Sequence, residues 1–282
     1  MGGIALQEFL WWQQYFSRSD WCAIELIWMD NSACFQPFGK PELLPFILFF
    51  TTCSPYTPSM ESLYIFGAGE FAQIACSYFT EEGKYDFKGF VIDDEIAEST
   101  HITVMGFQVH KYSEIVNKLI ETKTKVFVAI SATQMNKSRA NVYFRLKAEG
   151  CRFATYISPM AFVSKHASIG ENVFIFEENV VQFGASIANN TILWSGNHIG
   201  HQSKIGSHNF FSSHVVVSGF CSIGDYCYFG VNATLVDHLN IASGTLLGAG
   251  SLLLGNTEND SVYIGSPAKK LSGRDPYKVV FK

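Results

Sequence analysis

Between Ala161 and Asn256 the apolar positions fall in sixes. The third place of each hexad is apolar without exception: Val163, Ile169, Ile175, Val181, Ile187, Leu193, Ile199, Ile205, Phe211, Val217, Ile223, Phe229, Leu235, Ile241, Leu247 and Leu253. The first place is mostly small. A helix repeats near 3.6 residues and a lone strand at 2, so an unbroken period of six is neither. It is the pattern of a parallel β-helix, in which each hexad supplies a short strand and a turn, and stacked coils share one core.

The residues ahead of the repeat follow a different rhythm. Leu63 to Phe66 reads as a buried strand, followed by Gly67-Ala68-Gly69 and a helical stretch from Glu70 to Phe79. Phe87 to Asp94 reads as a second strand, Tyr112 to Thr122 as a helix, Val126 to Ser131 as a third strand, and Asn136 to Gly150 as a helix closed by glycine. Strands alternating with helices predict a parallel sheet with helices on its faces, here about half of a full dinucleotide fold. The expected domains are therefore an α/β unit over 60–158, a β-helix over 159–256 and a capping tail over 257–282, in which Pro267 and Lys269-Lys270 end regular structure.

Residues 1–59 stand apart, with four of the five tryptophans, five of the eight prolines and little periodicity. They lack a basic leader and a small-residue cleavage site, which argues against a signal peptide. Three readings apply: a start-site artefact, since Met60 directly precedes the first strand; a loosely docked extension; or an interfacial anchor using its aromatics.

Composition narrows the function. Charged residues make up 16% of the chain and the net charge is −5, with no clustered lysine and arginine of the kind a nucleic-acid surface needs. The longest early apolar run, Leu43 to Phe50, is too short to span a bilayer. The seven cysteines show no CxxC and no disulfide-like spacing, as expected of buried thiols in a reducing cytoplasm.

Two sets of residues suggest chemistry. Gly67-Ala68-Gly69, between a strand and a helix, would present backbone N–H groups to a phosphate, although a tight turn alone also explains it. Asp93 and Asp94 end the second strand, where carboxylates accept hydrogen bonds from a ribose or base, or simply face solvent. Ser131 completes this rim. In the repeat, His198, His201, His208, His214 and His238 are candidate general bases. His208, His214 and His238 share the sixth place of their hexads, where an outward-pointing polar residue is unremarkable, whereas His201 is in the fifth. A metal held by histidines across a subunit interface is a further reading, without a helical HxxxH motif to support it.

The combination of LYIFGAGEFAQ, FVIDD, the hexads with NHIGHQSKIG, and the tail VYIGSPAKKL resembles the hexapeptide-repeat sugar acyltransferases, most closely the NeuD/PglD-like group. The resemblance covers about 60–272. It implies a left-handed β-helix with three hexads per coil, a cytoplasmic homotrimer, acetyl-CoA bound between neighbouring helices, and a nucleotide-activated amino sugar held by the N-terminal domain for surface glycan or lipopolysaccharide synthesis.

The same resemblance assigns roles. His201, ahead of Lys204-Ile205-Gly206, is the general base. Gln202 stands where an acidic partner is usual and would orient the ring. Gly219, eighteen residues on, offers the oxyanion N–H. Sugar-nucleotide contacts fall at Gly69, Glu70, Phe71, Asp93, Asp94 and Ser131, and cofactor contacts at Phe210, Val231 and Ala249. Phe210 replaces a histidine, and Glu70 and Phe71 replace a small residue and a histidine. No metal and no membrane contact are expected. Rival readings are an O-acyl or longer-chain transferase, a β-helix metal enzyme, and a non-catalytic sugar-nucleotide binder.

Overall fold

A computed structural model describes residues 60–97 and 103–279. The readings of residues 1–59 lie outside the described residues. Those described fall within one compact unit.

The α/β part is a six-stranded sheet in the order β3-β4-β2-β1-β5-β6. Its elements are β1 (Glu61–Phe66), α1 (Glu70–Glu81), β2 (Tyr85–Ile92), α2 (Asp94–Ala97), β3 (Thr103–Val104), β4 (Phe107–Lys111), α3 (Tyr112–Glu121), β5 (Lys125–Val128), α4 (Lys137–Ala148) and β6 (Arg152–Phe153). Strands β1, β2, β4, β5 and β6 run parallel; β3 pairs antiparallel with β4. The β3–β4 hairpin is an addition to the parallel sheet expected from the sequence. Its two short strands expose or half-expose every residue, so they leave no apolar signature.

Alternation along β1 sorts its side chains onto two cores. Leu63 and Ile65 face α1; Tyr64 and Phe66 face Ile115 and Leu119 of α3 and Val142 and Leu146 of α4. The sheet order reverses beside β1, which has β2 on one side and β5 on the other. In open α/β sheets, ligands bind at that reversal, outside the carboxyl ends of the strands.

The hexads form a left-handed parallel β-helix. Strands pair with those one coil away, as in Phe174↔Ile192, Val180↔His198 and Ser186↔Lys204, a spacing of eighteen residues. All sixteen third-place residues lie in or against one core. All sixth places from Asn172 to Gly250 have positive φ, including His208 and His214 at 60° and Gly184 at 68°. Asn and His are enriched in this left-handed region and Gly enters it freely. Backbone geometry thus accounts for the sixth-place histidines.

The coils begin earlier and end later than the hexad count suggests. Tyr156–Ile157 already pairs with Phe174–Ile175, and Val262 pairs with Leu246, sixteen residues back. The last coil is two residues short, which hides it from a strict period of six.

The three faces of the prism differ at the second place of each hexad. One face, through Phe174, Ile192, Phe210 and Tyr228, packs against the α/β part; we call it the covered face. Phe71 and Phe79 of α1 meet Phe174 at 5.8 and 5.7 Å between ring centroids. Truncating either ring would cost about 3–5 kcal/mol. A second face bears Phe162, Val180, His198, Val216, Thr234 and Leu252 and is open, with Phe162 63% and Val216 37% exposed. The third bears Ser168, Ser186, Lys204, Ser222 and Asn240 and is polar.

Arg139 bolts the two parts together. It is fully buried, without a carboxylate partner among the described residues; its guanidinium donates to the carbonyls of Ile130, Ser131, Asn190 and Asn209. Asn172 adds a second tie, accepting from the Val128 N–H at 2.8 Å.

Candidate active site

The carboxyl ends of β1 and β5 open into two adjoining cavities. The first, about 390 Å³, is lined by Gly67, Gly69, Glu70, Phe71, Ser131 and Trp194, among others. The second, about 550 Å³, is lined by Gly67, Gly69, Ile92, Asp93, Thr133 and Ser138, among others. Gly67 has φ 120°, and a Cβ there would stand 2.7 Å from the Ala129 carbonyl oxygen, so only glycine fits. Gly69 caps α1 with nothing within 4 Å of a virtual Cβ, leaving the helix N-terminus approachable.

The sequence-nominated rim residues have unequal parts in this. Gly69 borders both cavities, Glu70, Phe71 and Ser131 the first, and Asp93 the second. Phe71 is 7% exposed and packs on Phe127, Phe174 and Trp194, so it acts as wall rather than as a polar contact. Asp93 is ion-paired with Arg145. Asp94 borders neither cavity. Its carboxylate accepts from the Ser113 N–H at 3.1 Å, capping α3, and these hydrogen bonds hold its pKa below the usual carboxylate value. Trp194 and Thr133 were missed: Trp194 reaches the first cavity from the β-helix with no local motif, and Thr133 lines the second just past Ser131. Arg139, also missed, lines neither cavity but holds the Ser131 carbonyl from behind.

His201 lies elsewhere, on the corner between the open and polar faces, exposed to solvent. Gly219 is directly one coil above. A Cβ at 219 would come within 2.6 Å of the ring Cε1 and 2.9 Å of Nε2, so glycine makes room for the imidazole. The Gly219 carbonyl accepts from the His238 N–H, while its own N–H has no acceptor among the described residues. Phe220 sets its ring edge-on to His201 at 5.0 Å and stacks on His238 at 4.9 Å.

Gln202 does not touch the ring. It sits at φ 58° with its amide over Gly184, one coil below. The contact expected of it is made by Gln182, whose Oε1 lies 2.9 Å from the His201 backbone N and 3.4 Å from Nδ1.

The three nominated cofactor residues are not beside His201. Phe210 is on the covered face, 8% exposed and stacked on Tyr228, where it borders a cavity shared with Ser131 and Tyr277. Val231 and Ala249 lie on the corner between the covered and open faces. His201 and the Val231–Ala249 column thus flank the open face from opposite edges.

His208 departs from the outward placement expected of it. It is 4% exposed, with Nδ1 2.8 Å from Asn190 Nδ2, between Tyr226 and Phe144. Burial, and then the Arg139 charge, lower its pKa to about 4, against a smaller opposing effect of Asp225. Docking of α4 on the corner encloses it. Among the described residues no group of three or more His, Cys, Asp or Glu could hold a metal ion, and no helix is long and apolar enough to cross a membrane.

Residues 62–146 match the family model of the PglD N-terminal domain. The NeuD/PglD-like resemblance read from the sequence holds there, and the described fold matches solved sugar acetyltransferases in both parts. PerB from Caulobacter crescentus, solved with CoA and GDP-perosamine, superposes with a TM-score of 0.67 at 22% identity, over 76% of this chain and 99% of that one. The acetyltransferase domain of PglB from Neisseria gonorrhoeae, in complex with acetyl coenzyme A, gives 0.66 at 25% identity, over 75% and 100%. Among curated proteins, a UDP-3-O-acylglucosamine N-acyltransferase of Herminiimonas arsenicoxydans is 33% identical over 102 residues, 35% of this chain. The chain spans 29% of that relative's length and 37% of a second one's, from Sulfurimonas denitrificans.

Proposed function

We propose that this chain transfers an acetyl group from acetyl-CoA to the amino group of a nucleotide-activated sugar, for surface glycan synthesis in the cytoplasm. The observation that carries the reading is the His201–Gly219 pair: an exposed imidazole under a glycine whose N–H has no acceptor among the described residues. The glycine-floored cavities beside β1 support a nucleotide site there. PerB and the PglB domain, solved with CoA ligands, support the donor.

In this reading the sugar amine attacks the thioester carbonyl while His201 removes its proton. The Gly219 N–H donates to the tetrahedral oxyanion. Collapse expels the CoA sulfur, which takes the proton from the imidazolium.

The reading requires a second copy. The base and the Val231–Ala249 column flank the open face, and the nucleotide cavities adjoin the covered face. Packing the open face of one copy against the next, with threefold closure, brings one copy's His201 edge towards its neighbour's opposite edge and buries Phe162 and Val216. We therefore take the active unit to be a homotrimer with sites between subunits.

The test is thiol release from acetyl-CoA against a panel of UDP-, dTDP- and GDP-amino sugars, with His201→Ala beside the wild type. Loss of about 10²- to 10⁴-fold is expected in the variant. Equal turnover would remove His201 from the mechanism. A product cleaved by hydroxylamine would assign an O-acetyl ester instead of an amide.

A further inference from the structure

Gln182 is fixed by its own backbone before it meets His201: its N–H donates to the Ile199 carbonyl and its carbonyl accepts from the Ala185 N–H. Its Oε1 then reaches up one coil to two atoms of one residue, the backbone N of His201 at 2.9 Å and ring Nδ1 at 3.4 Å. The first contact decides the second. A backbone N–H can only donate, so the amide atom facing it must be the oxygen; the flipped amide would set NH2 against N–H. The same oxygen faces Nδ1, so the favoured ring carries its proton on Nδ1. Nε2 then keeps its lone pair, while the Cε1 edge of the ring, with the two nitrogens almost equally near, faces Gly219.

We infer that Gln182 is a positioning residue that holds His201 in the Nδ1–H tautomer and leaves Nε2 as the basic nitrogen. The inference rests on the acyl-transfer reading for its catalytic meaning, but not for the tautomer. It also sets this corner apart from a histidine–carboxylate pair. The amide accepts from Nδ1 as a carboxylate would, yet places no negative charge beside the imidazolium. The groups facing the ring are Gln182 from the coil below and Gly219 and Phe220 from the coil above. The nearest titratable groups above them are His238, stacked on Phe220, and Asp237, 3.7 Å from His238 Nε2. Lys204 lies exposed on the adjoining polar face.

Two variants and two readouts test this. Gln182→Glu keeps an oxygen acceptor and adds a charge. The acid limb of its kcat/KM profile should move up by about one pH unit. Gln182→Met removes the acceptor and frees the ring. Its kcat should fall about 10- to 100-fold, with KM for acetyl-CoA little changed. Independently of turnover, ring 15N shifts of histidine-labelled protein, assigned with His201→Gln, should show His201 protonated at Nδ1 in the wild type and mixed in Gln182→Met. A wild-type ring protonated at Nε2, or a Gln182→Glu profile superimposable on the wild type, would overturn the assignment. If the wild type transfers no acyl group to any acceptor, the acyl-transfer reading fails and the 15N spectra still decide the tautomer.

Discussion

The His201 imidazole fills the space in which a side chain at Gly219 would have to stand, 2.6 Å from the virtual Cβ to Cε1. Gly219 has no left-handed backbone angle, so alanine suits its conformation, and its nearest conflict is with the ring. Gly219→Ala should therefore fold with a melting temperature within a few degrees of wild type, while kcat falls about 100-fold or more through a displaced base and a screened N–H. Thermal melts beside steady-state kinetics check both halves, and an active Gly219→Ala enzyme would detach the glycine from catalysis.

The opposite balance is expected at Gly67. There φ is 120° and the Ala129 carbonyl oxygen is 2.7 Å from a Cβ, so Gly67→Ala strains the backbone and moves the cavity floor. Nucleotide-sugar affinity, by calorimetry, should weaken at least about tenfold, alongside a loss of roughly 1–3 kcal/mol in stability.

Arg139→Met should be the most destabilising of these changes. Methionine fills much of the volume but leaves the carbonyls of Ile130, Ser131 and Asn190 without their donor, while Asn209 keeps only the Ile192 N–H. A loss of about 3 kcal/mol or more in chemical denaturation is expected. Because two of these carbonyls follow β5, KM for the sugar nucleotide should rise in whatever fraction remains folded.

His208 gives the fold an acid sensitivity whose sign follows from its depressed pKa. The unfolded chain takes up a proton near 6.5 and the native one only near 4. Its stabilising contribution is complete above pH 6.5, declines as pH falls through this window, and is lost below about 4. The total is on the order of 3 kcal/mol. Denaturant titrations at stepped pH should show His208→Asn with a shallower slope between pH 6 and 4, by one proton at most.

Val216 lies mid-way along the open face, between the paired positions His198 and Thr234. A charge there would be buried in the proposed trimer and solvated in a monomer. Val216→Glu should sediment as a monomer and lose thiol release, while keeping its circular dichroism. A trimeric Val216→Glu would move the interface to another face.

The hexads made the β-helix legible because a third-place side chain has nowhere to point but inward, as Ile199 and Phe229 do. The same text, read every eighteen residues at the second place, also separates the faces: Phe174, Ile192 and Phe210 for the covered one, Ser186, Lys204 and Ser222 for the polar one. Gln182 was hidden because its contact runs between coils and depends on a side-chain angle. Burial of His208 was hidden because it follows from docking Phe144 and Tyr143 of α4 onto the corner, a long-range event that leaves no local pattern. Asp94 reads like Asp93, and only the position of Ser113 shows that it is a helix cap.

The eighteen-residue register also governs how this chain can change length. Six residues inserted between His201 and Val231 would advance every later hexad by one face. The Val231–Ala249 column would then leave its corner although its local sequence was untouched. Eighteen inserted residues would add a storey and preserve every face. Lineages of such proteins should therefore grow and shrink in whole-coil quanta, with smaller insertions confined to loops that bulge from the corners without advancing the count.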